Sequence, residues 1–471
     1  MVHHHEMQPS EPIRKGPLLI VLLTGAFVAI LNQTLLVTAL PVIKADLGIG
    51  DTTVQWLQSI FLLVNGIMIP ITAFLIARFT TRELFLYAMG SFTLGTLICA
   101  IAPEFYTLLF GRVLQAAGAG VMMPLMQTIM FLIFPIEKRG TAMGLFGLII
   151  SFAPAIGPTL SGYLVEHYPW RSLFYVVFPI AVIDIILAYV VLKNVTKQTF
   201  PKVDILSIIL STVGFGGLLY GFSVAGAKGW SSAEVILTML IGALTLLWFI
   251  LRQLKLKQPI LEFRIFKDKI FTLTTALGMT VFLAMIGGAV ILPLLMQDML
   301  GFSPVESGLA LLPGAIMMGL MNPITGRLFD KFGAKWLSLI GLILVTVTTF
   351  MLTVLTPNTT FMYIATVHAF RMIGVAMVMM PVTTAGLNQL SREMLPHGTA
   401  MNNTLRQIAG AIGTALLVTI MTSTAQPERG LDGIIHGVNM AFAVAGITAA
   451  IGLVITFFIK YNQPNKRKMN T

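Results

Sequence analysis

Long apolar segments alternate with short polar ones along almost the whole sequence. Each apolar segment has about the 20 residues that an α-helix needs to cross a bilayer, and the breaks fall at charged residues, prolines and clustered glycines. The pattern predicts fourteen spans, near residues 16–41, 53–77, 83–102, 106–134, 141–165, 171–192, 204–226, 233–251, 270–297, 305–326, 335–355, 360–388, 399–423 and 437–460. We therefore predict an all-α polytopic membrane protein, because a helix satisfies its own backbone polar groups within lipid.

An internal repeat divides the predicted helices into two blocks of six with a pair between them. The stretch PITAFLIARFTTR at Pro70 matches PITGRLFDKFGAK at Pro323, and the tetrapeptide at Gly140 recurs at Gly398. The same order on the same membrane side indicates parallel repeats, as in transporters that rock two bundles around a central site. The predicted divisions are a tail over 1–15, a bundle over 16–192, a linker with two extra helices over 193–269, a bundle over 270–460 and a tail over 461–471.

The basic residues predict the orientation of the chain. When both termini are placed in the cytoplasm, most of the 30 lysines and arginines fall on the cytoplasmic side, and the outer loops hold only Lys44, Arg171, Lys228 and Arg429. Such a bias marks the cytoplasmic face. The first span lacks a cleavage site of the signal-peptide type. We predict a multi-pass protein of the cell membrane with both termini inside.

Composition excludes several other classes of protein. Charged residues make up 10% of the chain, against about 25% in a soluble protein. The short loops leave no room for a catalytic domain, and the sequence has no G-x4-G-K-[ST] phosphate loop. The net charge of +11 lies in loops and does not indicate nucleic acid. A single cysteine, Cys99, and an incidental histidine run at positions 3–5 give no reason to predict a metal or a cofactor.

The loop after the second helix of each block carries a pattern of charges. In the second block it reads G-x-L-x-D-K-x-G-x-K over residues 326–335, and the first-block copy has Ala77 where the acid would fall. A carboxylate at such a helix end can pair with a base, cap a neighbouring helix or face water. The residues of these two loops that we single out are Gly326, Arg327, Asp330, Lys331, Arg78 and Arg82.

The fifth helix combines small residues with a proline. It reads G-x8-A-x3-G-P-x3-G over residues 144–162, and we expect the motif residues to lie near one face and to admit another helix closely. The proline removes a backbone hydrogen bond and permits a bend. The candidates for a gate are Gly144, Gly157, Pro158 and Gly162. Static close packing is the alternative.

Two further patterns occur in the first block, L-N-x-T-x4-A-L-P over residues 31–41 and Arg112 followed by Gln115. Together the four stretches resemble motifs of the major facilitator superfamily. The whole chain resembles its fourteen-span drug:proton antiporter branch, the EmrB/QacA type, and most of all the lincomycin-resistance exporters of Gram-positive bacteria. The resemblance implies the major facilitator fold and proton-coupled export across a bacterial cell membrane. It also implies that the loop residues singled out above, Gly326, Arg327, Asp330, Lys331, Arg78 and Arg82, form a cytoplasmic latch. The family has an acid where this chain has Asn32, so the chain departs from the family at its usual first-half proton carrier.

Charged residues inside the spans are the candidates for charge relay and proton coupling. Such side chains are costly in lipid and are expected to face the bundle interior or a wet cavity. The candidates are Arg112, Asp184, Arg371 and Arg406. For the arginines, structural hydrogen bonding is the alternative. Asp184 is the favoured proton carrier because it titrates and lies within a span, and the alternatives are Asp298, Glu306 and Glu234, with His368 more readily a satisfied core residue.

We predict a secondary active exporter, not an enzyme, that exchanges amphiphilic drugs for protons as a monomer in the lipid bilayer. Because residue 32 is uncharged, the substrate need not be strongly cationic. The candidates for lining the substrate cavity are Asn32, Gln33, Gln115, Gln297 and Asn402. The alternatives are a dedicated exporter or importer of one metabolite, an intramembrane enzyme, and a membrane sensor or scaffold.

Overall fold

The computed structural model describes residues 15–459, and over that range it has fourteen α-helices of membrane-spanning length and no β-strand. The helices are α1 (Lys15–Leu47), α2 (Asp51–Arg78), α3 (Thr81–Ile101), α4 (Phe105–Ile133), α5 (Arg139–His167), α6 (Ser172–Val191), α7 (Ile205–Lys228), α8 (Ala233–Lys255), α9 (Lys269–Leu294), α10 (Pro304–Phe332), α11 (Ala334–Met351), α12 (Phe361–Leu387), α13 (Leu395–Ser423) and α14 (Gly430–Phe458). The predicted all-α fold with fourteen spans is confirmed. Apart from Lys15, which begins α1, the predicted N-terminal tail with its histidine run and the predicted C-terminal tail lie outside the described residues.

Several helices extend beyond their apolar segments. α1 continues through Pro41 to Leu47, α10 continues past Gly326 to Phe332, and α14 begins at Gly430, seven residues before the predicted start. Hydropathy locates only the part of a helix that lies in lipid, and the helix can continue among polar residues at the membrane surface. The last turns of α10 carry Asp330.

The helices pack as two bundles with a hairpin beside them. In the first bundle α4 lies against α2 and α3, and α6 lies against α1 and α3; in the second, α12 lies against α9, α10 and α11. The hairpin of α7 and α8 closes on small residues: a Cβ on Gly214, Gly217 or Gly242 would lie 2.7–3.0 Å from the facing backbone. α7 also lies against α2 of the first bundle and α13 of the second. The hairpin thus contacts both bundles.

The loops gather alternately at two ends of the molecule. The end that we name the basic end holds the loops at 79–80, 134–138, 192–204, 256–268, 333 and 388–394, and the opposite end holds the others. At the basic end, Thr81 N donates to Asn194 Oδ1 at 3.0 Å, which joins the start of α3 to the linker after α6. At the opposite end, Arg171 Nη2 donates to Ala102 O at 2.7 Å, which joins the start of α6 to the end of α3. Consecutive helices therefore run in opposite directions.

Candidate functional site

The two bundles meet along α5 and α10 in the half of the protein nearest the basic end. A Cβ on Gly144 would lie 2.6 Å from Asn322 O, and one on Gly326 would overlap Gly140 O. Asn322 Nδ2 also donates to Ser151 Oγ at 3.0 Å. Small residues let helices approach closely enough for van der Waals packing in lipid, where apolar surface alone gives no driving force. Glycine on both helices thus makes this contact possible.

Asp330 of α10 caps the first turn of α5. Its Oδ1 accepts a hydrogen bond from Gly140 N at 2.7 Å, and its Oδ2 accepts from Thr141 N at 2.8 Å and from Thr141 Oγ1 at 2.6 Å. A carboxylate at a helix N-terminus satisfies free N–H groups and interacts favourably with the helix dipole. The sequence left three roles open for this acid: pairing with a base, capping a neighbouring helix and facing water. The structure shows that it caps a helix. It joins the second bundle to the first.

The bases of the predicted latch lie in other surroundings. Arg327 and Lys331 are exposed on the same turn as the cap. In the first bundle, Arg78 Nη1 donates to Pro201 O of the linker at 3.2 Å, and the Arg82 guanidinium lies 4.2 Å from the centroid of a tyrosine ring on α6. The first-bundle loop therefore contacts the linker and its own bundle. What joins the bundles at this level is the cap and the glycines beneath it.

Polar side chains that the sequence analysis missed also join the bundles near the basic end. Three hydrogen-bonded pairs do so: Thr128 with Thr399 at 2.7 Å, Gln127 with Asn403 at 2.7 Å, and Arg139 with Asn388 at 2.9 Å. The first two connect α4 to α13. The repeat at Gly398 marked the start of α13, but nothing in the sequence indicated its partner on α4. With the α5–α10 contact, these pairs close the basic half of the interface.

The motif of α5 does not present one face to one neighbour, and that expectation is wrong. Gly144 packs on α10, whereas a Cβ on Gly157 would overlap Thr34 Oγ1 of α1 and one on Gly162 would meet nothing within 4 Å. Pro158 is exposed. Thirteen residues turn a helix by about 220° beyond whole turns, which directs Gly157 away from the face of Gly144. α5 therefore packs on the second bundle in one half and on α1 in the other.

Arg112 of α4 is fully buried inside the first bundle and bonded to it. Its Nε donates to Leu57 O at 3.1 Å and its Nη1 donates to Gln115 Oε1 at 2.9 Å. Gln115 Nε2 donates in turn to Thr96 Oγ1 at 2.8 Å and to Asn32 Oδ1 at 3.4 Å. Nη2 of Arg112 has no hydrogen-bond partner among the described residues. Two of the predicted cavity amides, Asn32 and Gln115, thus belong to this buried network.

The second bundle buries two further arginines. Arg371 Nε donates to Thr349 Oγ1 at 3.0 Å and Nη2 donates to Ala284 O, while Nη1 is unpartnered among the described residues. Arg406 Nη2 donates to Thr383 Oγ1, and its Nε is likewise unpartnered within the described range. Each arginine therefore combines structural bonds with one buried nitrogen that has no hydrogen-bond partner among the described residues.

Asp184 of α6 is buried, with 1% of its surface exposed, and neither carboxylate oxygen has a hydrogen-bond partner in the described part of the chain. Its Oδ2 lies beside Gly25 of α1, as do the side-chain ends of Phe85 of α3 and Met122 of α4. Seven residues separate it from the end of α6, which places it about 10 Å from the basic end of that helix. The charged form of an unpartnered buried carboxylate is costly. Asp184 thus differs from the other described acids in being both buried and without a hydrogen-bond partner among the described residues.

The alternative acids lie at the opposite end and are bonded or exposed there. Glu306 accepts from Ser303 N at 2.8 Å in the cap of α10. Glu234 accepts from Lys228 Nζ across the α7–α8 turn. Asp298 is exposed. None of these three is buried in the interior of a bundle.

The remaining predicted cavity amides are not gathered in one place. Gln33 is half-buried on α1, and Gln297 is exposed in the π-helical turn Leu295–Met299 at the opposite end. Asn402 is buried on α13 near the basic end. The five amides therefore do not line one common surface.

The repeated bundles and their interface define a class of protein, and the comparison of sequences agrees with it. The family model described as Major Facilitator Superfamily matches residues 22–414, and the chain belongs to this family. It is a multi-pass membrane transporter and not an enzyme.

Its relatives are similar to it over nearly their whole length. The MFS-type transporter YcnB of Bacillus subtilis strain 168 is 53% identical over 458 residues, covering 96% of this chain and 97% of YcnB. The lincomycin resistance protein LmrB of the same organism is 42% identical over 473 residues, covering 98% and 99%. The multidrug export protein EmrB of Escherichia coli K12 is 28% identical over 423 residues, covering 88% and 83%. These names fit the EmrB/QacA-type branch.

Among solved structures, the human organic anion transporter MFSD10 (TETRAN) has a similar fold. The TM-score is 0.69 at 13% sequence identity, and the match covers 95% of this chain and 100% of MFSD10. At that identity the similarity establishes the fold alone.

Proposed function

We propose that this chain is a proton-coupled exporter that moves amphiphilic drugs out of a bacterial cytoplasm by alternating access. The basic end and both termini face the cytoplasm in this proposal, because basic loops are retained on that side. The bundles over 16–192 and 270–460 rock as units around the linker, and one chain is sufficient. The relatives named for lincomycin resistance and multidrug export support drugs as the solutes.

The contact between the bundles at the basic end is the observation that carries the proposal. With that end in the cytoplasm, the cap of Asp330 on α5 and the pair Thr128–Thr399 belong to a state closed toward the cytoplasm. Loading a drug requires the contact to open, and release to the outside requires it to form again. A net contribution of about 0.5–1.5 kcal/mol for a neutral hydrogen bond, and of about 1.5–3 kcal/mol for one to a charged group such as Asp330, leaves such a contact reversible.

Asp184 is the proton carrier in this proposal, and the buried arginines tune its field or relay charge. Arginine stays protonated in proteins, so the buried arginines are not the titrating group. His368 of α12 is buried with its Nδ1 unpartnered among the described residues, contrary to the expectation of a satisfied core residue, and is the alternative to the carboxylate. Asp184 is the described acid that is buried in a bundle without a partner. Since Asn32 is neutral and bonded to Gln115, neutral or weakly basic drugs fit the first bundle as well as cations do.

The proposal is tested by drug-driven proton movement in inverted membrane vesicles that are energised to be acidic inside. A lincosamide, a lipophilic cation and a neutral dye are added in turn, and the internal pH is followed. We expect proton release with at least one of them and its loss in Asp184→Asn. Release that persists in Asp184→Asn would move the carrier to another acid, and no response to any compound would favour a transporter dedicated to one metabolite.

A further inference from the structure

Asp184 lies against Gly25 of α1, and a residue larger than glycine at position 25 would displace the Asp184 side chain. A Cβ on Gly25 would lie 2.9 Å from Oδ2 of Asp184 and 2.5 Å from Cε of Met122. Both atoms are the ends of flexible side chains and can move aside, and the buried Phe85 Cζ, 3.1 Å from the Cβ, would have to shift by only a few tenths of an ångström. Gly25 therefore sets how closely α1 covers the carboxylate.

The helices around Asp184 place no compensating charge against it. Between Lys15 and Lys44, α1 has no charged residue. The charged residue of α4 is Arg112, ten residues before Met122 and so about 15 Å away along the helix. The other titratable groups of α1, α3, α4, α5 and α6 lie at helix ends, face outward or belong to the Arg112 region: Lys15, Lys44, Asp46, Arg82, Glu83, Tyr87, Cys99, Tyr106, Arg139, Tyr163, Glu166, His167, Tyr175 and Tyr189.

We infer that Gly25 is a positioning residue for the proton site, and that α1 must move away from α6 at Gly25 before Asp184 can lose its proton. The inference rests on the proposed function, in which Asp184 is the carrier. With α1 in place, Oδ1 and Oδ2 are buried and have no donor among the described residues, which disfavours the charged carboxylate. Separating α1 from α6 would admit the water that the charged form requires.

α1 is also the helix through which such a movement reaches the interface between the bundles. Thr34, nine residues beyond Gly25, packs on Gly157 of α5, and Ser161 Oγ of α5 donates to Leu35 O at 2.6 Å. The other end of α5 is capped by Asp330 of the second bundle. A continuous set of contacts therefore connects the proton site to the contact that opens and closes.

The test compares Gly25→Ala with Gly25→Ser in the vesicle assay, with the pH varied. Both variants fill the same space, but serine adds a hydroxyl donor beside Oδ2, and a hydrogen bond to the charged form favours that form. We expect the pH midpoint of drug-driven proton release to be lower in Gly25→Ser than in Gly25→Ala by about 0.5–1 unit. A merely structural role for Gly25 would leave the two midpoints equal.

A matched control is available in α9, the first helix of the second bundle. A Cβ on Gly287 would lie 2.8 Å from the flexible end of Leu417 and 3.8 Å from Ala445, so the same substitutions crowd an apolar side chain. Gly287→Ala and Gly287→Ser are expected to share one pH midpoint. A difference between them as large as that at position 25 would overturn the inference.

A second measurement does not require the variants to transport. Infrared difference spectra on drug addition should show a protonated carboxyl band that is absent in Asp184→Asn and shifted in Gly25→Ser. No such band, or an unshifted one, overturns the inference while drug-driven proton release in the parent chain keeps the exporter function. If the parent chain gives no release with any compound, the proposed function itself fails.

Discussion

Buried arginines and an acid at a helix end serve different purposes among the single residues of this transporter. Asp330 is half-buried, and its hydrogen bonds to α5 can be exchanged for bonds to water at modest cost. Arg112 is fully buried, and removing its partners would leave an unpaired charge in lipid. The acid suits a contact that breaks in each cycle, and the arginine suits one that persists.

Replacing Asp330 by asparagine tests the cap. The amide side chain would keep the shape but lose the charge, and charge-assisted hydrogen bonds contribute about 1.5–3 kcal/mol. We expect Asp330→Asn to lower the initial rate of drug efflux about tenfold or more. Arg327→Gln, on the same turn but exposed, is the control and should stay within about twofold of the parent. Equal rates in the two variants would show that the cap is dispensable.

Arg112→Lys tests whether the buried network needs more than a positive charge. Lysine cannot reproduce the planar fork that donates to Leu57 O and Gln115 at once. We expect export to fall at least about tenfold while the amount of inserted protein is unchanged. The control is Lys138→Arg, which exchanges lysine and arginine at an exposed position of the basic end. An active Arg112→Lys variant would mean that charge alone is sufficient.

At the scale of helices, α5 contacts a different partner along each half of its length. Near the basic end it packs on α10 through Gly144, and beyond its middle it packs on α1 through Gly157. Two prolines, Pro154 and Pro158, lie in the second half of α5, and each removes a backbone hydrogen bond of the helix. In the proposed cycle, α5 stays fixed to α1 while its contact with the second bundle opens.

Two glycine substitutions on α5 test whether a glycine matters because it packs on a neighbouring helix. Gly157→Ala would drive a methyl group into Thr34, whereas Gly162→Ala would add one where nothing lies within 4 Å. We expect Gly157→Ala to lower the thermal midpoint of the purified protein by several degrees, consistent with an overpacking cost of about 1–3 kcal/mol, and to slow export. Gly162→Ala should match the parent in both measurements. A destabilised Gly162→Ala variant would contradict the assignment of the two faces.

At the scale of the whole molecule, several helix pairs connect the bundles, among them α5 with α10, α4 with α13 and α2 with α13, and the hairpin lies beside the last of these. The α5–α10 contact is held by glycines and the Asp330 cap, and the α4–α13 contact by amide and hydroxyl pairs. α7 lies against α2 and α13 together, so the inserted hairpin covers the side of the interface that faces away from α5 and α10.

A disulfide across the α4–α13 contact should lock the basic end closed. Thr128→Cys and Thr399→Cys replace two hydroxyls that lie 2.7 Å apart, in a Cys99→Ala background that removes the single native cysteine. Oxidation is expected to abolish drug-driven proton release, and reduction should restore it. Each single-cysteine variant should be insensitive to oxidant. Full transport by the oxidised double variant would show that this contact does not open.

How much could be predicted from the sequence depended on how local each feature is. The fourteen spans follow from apolar length alone, and the repeat that matches Pro70 with Pro323 can be read without coordinates. The acid at position 330 was visible at a helix end. Its partner was not visible, because Gly140 and Thr141 lie about 190 residues away in sequence and reach it only when α5 packs on α10.

The sequence by itself therefore determined the fold class, the number of spans and the residue types available for chemistry, because hydropathy and motif spacing act within one helix or one loop. Only the tertiary structure decided which helix each residue faces. It directed Gly144 and Gly157 to different neighbours, bonded Asn32 into the Arg112 network, and left Asp184 beneath α1 without a partner among the described residues. The physical reason is that rotation about a helix axis and the packing of distant helices depend on all the side chains at an interface, which no single segment encodes.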